Sequence, residues 1–423
     1  MTLVGRLAAR ARALDRSLGL LAAMAFITQL GVSVMLPLLP LYAQSLGATP
    51  FVLGLLISGF GVTLAAGQLA AGFMADRIAP RRLVVTGLGV YAAANIAIAI
   101  STSAAQLIVY RGVAGLGAGI GQVAERLYIG QVAARARLAF ANSIISAAYS
   151  AGTVAGPAIG GLLAHVGDLH LPFVVVGLTS FAAAAAGWFL PRPPERIAEP
   201  ASGVGSERLD GSAPATGTAP AAGSRRRLIV RRIAVLFVAQ LALNASFGAF
   251  ITTYSPFATE RLGWTTIEVG IVFSLFGLGS VLLGPLLSRI ADRRGRRLFA
   301  IIGAAMVVPF VVAYVVEAPR LVLYPLTMLA GAGITVFEAA WFALLTDATD
   351  GGRRSRAFST VVAISSLGIV LGSVTAAQLW ERSGDVGLGM VAAGVAIAIA
   401  GVSLLAHPAD RPQPGDRAAT GGV

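Results

Sequence analysis

With 423 residues, 56% of them hydrophobic and 12% charged, and a mean hydropathy of +0.80, the chain carries too little polar surface to cover a soluble globule of its size. It belongs in a bilayer. A formal net charge of +13 would point to nucleic acid in a soluble protein, so the location of the charges has to decide. The absence of cysteine excludes disulfides, thiolate metal sites and cysteine nucleophiles. The 3 histidines, His165, His170 and His407, fall in loops or at a helix end as solvated side chains, and no metal site or cofactor is expected.

Apolar runs near the length of a membrane-crossing helix follow one another at roughly 18–42, 51–73, 82–102, 106–130, 139–164 and 171–190. Residues 191–229, rich in Pro, Gly, Ala and Ser and without apolar periodicity, read as a flexible cytoplasmic linker. Six more runs follow at roughly 233–257, 266–288, 297–316, 320–346, 356–380 and 385–406. The tail at 408–423 reads as disordered. The predicted architecture is an all-α membrane protein of twelve transmembrane helices, with one six-helix half at 1–190 and a second at 230–407. The first run is too long for a signal-peptide core and is expected to remain as an anchor.

Arginine placement tests this topology independently, because short Arg-rich loops stay in the cytoplasm. All 32 basic residues are Arg. With the N-terminus inside, 28 of them fall on the cytoplasmic side, Arg261, Arg320 and Arg382 fall in outer loops, and Arg111 lies inside a span, about a quarter of the way along it. The charge is therefore topological and nucleic-acid binding falls away. Both termini are expected in the cytoplasm, and the chain in the plasma membrane.

The two halves repeat each other 216 positions apart without a gap: Pro40 matches Pro256, Leu46-Gly47 matches Leu262-Gly263, Gly54 matches Gly270, and Ala75-Asp76-Arg77 matches Ala291-Asp292-Arg293. Duplicated halves related by a pseudo-two-fold axis, with a substrate site near the midplane between them, are how many secondary transporters are built.

The first duplicated loop reads Gly72-Phe73-Met74-Ala75-Asp76-Arg77-Ile78-Ala79-Pro80-Arg81-Arg82, and the second Ser288-Arg289-Ile290-Ala291-Asp292-Arg293-Arg294-Gly295-Arg296-Arg297. Both resemble the G-x-L-x-D-R-x-G-R-R motif of the major facilitator superfamily. Ala79-Pro80 stands where one glycine is usual, and the first loop is expected to be one residue longer, with Arg81 and Arg82 short of their usual partners. The resemblance implies a latch that holds the cytoplasmic side closed, formed by Gly72, Asp76, Arg77, Arg81 and Arg82 and by Asp292, Arg293, Gly295, Arg296 and Arg297 in the second copy. Asp76 would meet the start of the eleventh helix near Arg356, where exposed amides and the helix dipole favour an anion.

In the fourth span, Arg111-Gly112-Val113-Ala114-Gly115-Leu116-Gly117-Ala118-Gly119 resembles the family's R-x-x-x-G-x-G motif. The glycines allow close helix approach. Arg111 needs a carboxylate, carbonyls or water, or else snorkels to the outer surface. In the fifth span, Gly152, Gly156, Pro157, Gly160 and Gly161 are similar to the antiporter motif G-x-x-x-G-P-x-x-G-G. Pro157 is expected to kink that helix. Within the superfamily this motif marks exporters that exchange substrate for protons, notably drug:proton antiporters.

Proton-driven export requires a membrane-embedded group that changes protonation, and Glu338, Glu125 and Arg111 are the candidates. Aligning Tyr110 with Tyr324 puts Ala124 opposite Glu338, one position from Glu125, so near-symmetric carboxylates are expected. Glu125, followed by Arg126, is equally suited to an interfacial ion pair. Glu338, isolated among Phe337, Trp341 and Phe342, is the first choice for proton binding. Gln29, Asn95, Gln122, Asn142, Gln240 and Asn244 either line the cavity or bond one helix to another. Many family exporters of cationic drugs carry an acid in the first span; Gln29 stands there instead, which argues against a lipophilic-cation preference.

The resemblance thus implies proton-coupled efflux of small amphipathic molecules by a monomer in the bilayer. A proton-coupled importer of a small nutrient or organic anion, with Arg111 on the substrate carboxylate, is the rival, and a non-transporting membrane sensor of the same fold is a second. An enzyme is not expected, since no Cys, membrane-embedded His or clustered acids are present to do chemistry.

Overall fold

The computed structural model of the chain describes residues 3–75, 77–132, 138–190, 222–348, 361, 364–365 and 367–407; within these, the backbone alone is described at 3–17, 130, 132, 138–140, 142, 222–229, 288–289 and 292–294. The first half comprises α1 (Leu3–Ser45), α2 (Pro50–Met74), α3 (Pro80–Ala99), α4 (Ala104–Val132), α5 (Leu138–Val166) and α6 (Leu171–Gly187). The second comprises α7 (Ala222–Glu260), α8 (Thr266–Leu282), its continuation α9 (Gly284–Arg294), α10 (Arg296–Val315), α11 (Arg320–Ala348), α12 (Leu367–Ser383) and α13 (Gly387–Ser403). Because α8 and α9 form one span, the thirteen helices make twelve spans. Among the described residues, 9 helices are long and apolar enough to cross a membrane, and α6 is a shorter apolar one. The start of α7 at Ala222 makes residues 222–229 helical, where linker was expected; 191–221 and the tail lie outside the described residues.

The turns repeat with the sequence. Gly47 (φ 77°) and Gly263 (φ 64°), 216 apart, supply the left-handed residue that ends a helix and would strain any other side chain. Two residues later, Thr49 and Thr265 cap α2 and α8; Thr265 forms a full capping box with Glu268. Likewise Pro80 opens α3 and Arg296 opens α10 at the same register position. The first loop is therefore not one residue longer, because Pro80 occupies the first helical turn, where a missing N–H costs nothing.

Lipid tails are as apolar as leucine, so helices in a membrane are held by close packing and hydrogen bonds rather than by expulsion from water. Glycine pairs provide that packing and fix the register between halves. A Cβ placed on Gly117 of α4 would lie 2.8 Å from the Gly87 carbonyl of α3, and one on Gly333 of α11 would lie 2.5 Å from the Gly303 carbonyl of α10. Both pairs obey the 216 spacing. Glu338 is therefore the counterpart of Gln122, and Glu125 the counterpart of Trp341. The expected near-symmetry of the two carboxylates, which used a spacing of 214, is overturned.

The halves meet through two interfaces that are images of each other, α5 on α8 and α12 on α2, with α1 against α7 beside them. The contacts include Gln44 Nε2 to Glu260 Oε1 (2.8 Å), Ser58 Oγ to Ser373 Oγ (2.7 Å) and Thr266 Oγ1 to the Gly161 carbonyl (3.1 Å). All three lie toward the distal end of the bundle, the one that carries Ser45 and Pro50.

Candidate functional site

Where the halves face each other near mid-span there is a cavity of about 130 Å³. The first half contributes Ser33 and Leu36 from α1 and Thr153 and Pro157 from α5; most of the wall comes from the second half. Phe247 and Phe250 of α7, Phe273 and Phe276 of α8 and Phe310 of α10 supply aromatic surface, and Ser246 adds one hydroxyl to those of Ser33 and Thr153. No charged side chain lines it. Phe250 joins the rings at centroid distances of 5.6 Å to Phe273 and 5.5 Å to Phe310, and Tyr254 backs it at 4.9 Å. Such tilted contacts favour a rigid wall. The spacing of Phe247 from Phe250 and of Phe273 from Phe276 is the signal that sequence reasoning missed, each pair lying on one helix face.

The antiporter-like motif builds the cavity's edge. Gly152, Gly156 and Gly160 place a glycine face of α5 against α1: a Cβ on Gly152 would lie 2.8 Å from the Phe26 carbonyl, and one on Gly156 2.7 Å from Ser33 Cβ. Pro157 and Gly161 face the other half instead, meeting Gly270 and Thr266 of α8. At this proline the Ala158 N–H donates to Ser274 Oγ across the interface (3.0 Å). One segment thus serves both the packing within its half and the seam between halves.

None of Gln29, Asn95, Gln122, Gln240 and Asn244 lines this cavity. Gln29 donates to Ser33 Oγ (3.3 Å), one turn away; Asn95 donates to the Tyr91 carbonyl of its own helix (2.8 Å), Gln122 pairs with Gln68 (3.2 Å) and Asn244 donates to the Ser365 carbonyl (3.0 Å). Gln240 is buried. The Asn142 side chain lies outside the described residues. Helix-to-helix or local bonding is thus the use of the four with described partners among these five.

The two acids differ. Glu125 is 1% exposed and accepts a hydrogen bond from the Tyr149 hydroxyl of α5 (2.7 Å), while Oε1 has no partner among the described residues. Arg126 beside it is exposed, so the pairing goes to Tyr149 and no interfacial ion pair with Arg126 is seen. Tyr149 is one turn from Thr153, whose hydroxyl donates to the Tyr149 carbonyl (3.0 Å) and which lines the cavity. Glu338 stands one turn from Ile334, also a cavity residue. Trp341, its buried neighbour, bonds instead to the Leu236 carbonyl (2.7 Å).

Arg111 does not snorkel. It is 2% exposed, its Nη1 lies 2.7 Å from the Met35 sulfur, and its guanidinium carbon sits 3.8 Å from the centre of the Phe60 ring. Of the residues expected to form a latch, Asp76 lies outside the described residues, as do the Asp292 and Arg293 side chains and the segment around Arg356. Gly72, Arg77 and Arg82 are exposed. Arg81 donates through Nε to the Gly187 carbonyl (3.4 Å) and through Nη2 to that of Trp188, at the end of α6. Arg297 donates to the Leu404 (3.0 Å) and Leu405 (2.6 Å) carbonyls after α13. Gly295 (φ 111°) turns the chain from α9 into α10, and Arg296 pairs with Asp347 (2.6 Å).

Of the histidines expected in solvent, His165 is exposed but His407 is buried. His170 Nδ1 lies 2.7 Å from the Ala99 carbonyl and 3.1 Å from the Tyr42 hydroxyl. Among the described residues no group of three or more His, Asp or Glu is placed to hold a metal ion.

A duplicated six-helix bundle with an uncharged cavity between its halves defines a membrane transporter of the twelve-span class. The chain belongs to the Major Facilitator Superfamily, whose family model matches residues 21–265 and 236–422. It is a transporter and not an enzyme. It is similar to Multidrug resistance protein 2 of Bacillus subtilis, 21% identical over 286 residues, covering 66% of this chain and 69% of that protein. It is also similar to the Quinolone resistance protein NorA of Staphylococcus aureus, 23% identical over 257 residues, covering 60% of this chain and 61% of that relative's length. In structure it resembles a bacterial homologue of the human lysosomal transporter Spinster in an inward-facing, occupied conformation (TM-score 0.75, 14% identity, 92% of this chain and 96% of that one). The nucleoside transporter NupG is similar to nearly the same degree (TM-score 0.74, 12% identity, 93% of this chain and 100% of that one). At these identities the structural likeness concerns the fold.

Proposed function

We propose that the protein exports small apolar or amphipathic molecules from the cytoplasm by alternating access, coupled to proton entry. The observation that carries this reading is the cavity: five phenylalanines and three hydroxyls, without a charge, at the seam between the halves. Such a surface binds by area and shape and fixes orientation with few polar contacts. Resistance proteins among the relatives and the glycine–proline motif in α5 support the export direction. The chain works as a plasma-membrane monomer with both termini in the cytoplasm, so that the distal contacts lie at the outer face.

Glu338 and Glu125 are the proton-binding groups of this reading. Glu338 stands one turn from the cavity residue Ile334, and Glu125 is bonded to Tyr149, one turn from the cavity residue Thr153, so a change of charge at either alters the field at the substrate without touching it. The symmetric loops at Asp76 and Asp292 form the cytoplasmic latch. Accumulation of a fluorescent dye in efflux-deficient cells tests the whole proposal. Lower accumulation in expressing cells, abolished by collapsing the proton gradient, is the expected result; accumulation unaffected by expression across a panel of apolar dyes would reject it. One observation favours the second reading, a proton-coupled importer of an organic anion: the deeply buried Arg111.

A further inference from the structure

The register that relates the halves assigns a counterpart to every cavity residue. Phe276, Val307 and Val311 line the cavity in the second half; 216 positions earlier stand Phe60, Tyr91 and Asn95. By that register Phe60, Tyr91 and Asn95 are the images of three residues of the wall, and Phe60 lies against the Arg111 guanidinium. Where the second half is apolar, the first is polar: Arg111 replaces Thr327, whose hydroxyl is satisfied by the Leu323 carbonyl (2.7 Å).

That cluster is incomplete as it stands. The Tyr91 hydroxyl, the Arg111 Nε and the Asn95 Oδ1 are buried without a hydrogen-bond partner among the described residues. Arg111 and Tyr91 present donors, Arg111 is permanently cationic, and its guanidinium meets a thioether and a ring face. A buried cation at membrane depth demands an anion or a set of acceptors. Among the described residues no acid is positioned to serve. Glu125 lies 14 residues along the same helix, about 21 Å at the rise of an α-helix. Glu338 is in the other half. Around the distal end, Asp168 caps His170 and Leu171, Glu260 holds Gln44, Glu268 holds Arg320, and Glu317 and Asp385 hold Arg261.

We infer that Arg111 and Tyr91, supported by Asn95, form an anion-binding subsite in the first half that receives the carboxylate of an amphipathic substrate whose apolar body occupies the phenylalanine-lined cavity. Phe60 and Met35 cover the guanidinium in this conformation and give way when the carboxylate enters. Neutralising a cation already buried returns the interaction without the further cost of desolvating it, which makes carboxylate preference strong. The inference rests on the transport reading for its biological purpose, but not for its test.

Binding is measured on the purified full chain in nanodiscs, without any flux, using 2-naphthoate and its uncharged isostere 2-naphthamide. The wild type should bind naphthoate at least about tenfold tighter than naphthamide, as a charged hydrogen bond gives. Arg111→Gln should erase that preference by weakening naphthoate far more than naphthamide, and Tyr91→Phe should reduce it severalfold. Equal affinity of the two ligands in the wild type overturns the inference, as does displacement of naphthoate by equimolar chloride, which would make the site one for small inorganic anions. If Arg111→Gln does not fold, the wild-type comparison and Tyr91→Phe still decide. Carboxylate binding in a protein that moves no dye or naphthoate in proteoliposomes would uphold the subsite and reject the transport reading instead.

Discussion

Arg81 and Arg297, 216 positions apart, perform the same task in opposite halves: each reaches from the first turn of its half's third span to the carbonyls that end the sixth. Helix C-termini leave carbonyls without partners, and a cation there meets both the hydrogen-bonding need and the negative end of the dipole. These two motif arginines are thus structural clamps, closing each six-helix half upon itself.

Arg81→Ala and Arg297→Ala should each lower stability by ~1 kcal/mol, with the conservative Lys variants intermediate because a flexible ammonium keeps the charge but lacks the fixed fork that spans two carbonyls. The two losses should add, since the sites lie in different halves. Thermal melting in detergent measures this. Full stability of the double Ala variant would show that the carbonyls are served equally well by water.

The seam at the distal end rests on small residues. Gly270→Leu puts a side chain against the Pro157 carbonyl and should force α5 from α8, favouring a state opened at that end. Because the chain has no cysteine, Ser58→Cys introduces the sole thiol. Its labelling by a membrane-impermeant maleimide, slow while Ser58 is buried against Ser373, should rise at least severalfold in the Gly270→Leu background. Unchanged labelling would mean that the α5–α8 contact does not control access.

Glu338→Gln should leave a folded, inserted protein whose transport no longer responds to an imposed pH gradient. Glu125→Gln tests the second acid, and Tyr149→Phe asks whether the hydroxyl that holds it matters to the coupling. Substrate flux into proteoliposomes at several external pH values reads all three. Wild-type response in both glutamine variants would remove the carboxylates from the coupling scheme.

Phe250 contacts both Phe273 and Phe310, so Phe250→Ala opens the wall at its centre. Apparent affinity for an apolar dye should fall about tenfold or more, as altered apolar pockets do, while Phe250→Tyr, which keeps the ring, should largely retain it. Concentration dependence of dye efflux distinguishes the two. Equal loss in both would indicate a folding defect, which a melting curve reveals.

The sequence by itself determined the membrane class, the twelve spans and the 216-residue repeat, because these depend on local quantities: runs of apolar residues, turn glycines such as Gly47 and Gly263, and caps such as Thr49 and Thr265. It did not determine which face of a helix a polar residue occupies. A two-residue difference in the assumed spacing, 214 rather than 216, rotates a residue by about 200° around its helix. That is why Glu125 looked like the partner of Glu338, whereas the glycine pairs Gly87–Gly117 and Gly303–Gly333 give Gln122 that place. Only tertiary packing decided that the polar amides bond between or along helices while five phenylalanines form the cavity, and that Arg111 is buried against Met35 and Phe60 and not drawn to the surface. Each outcome depends on which neighbouring backbone comes close enough to make contact, and that is set by glycines on other helices far away in the chain.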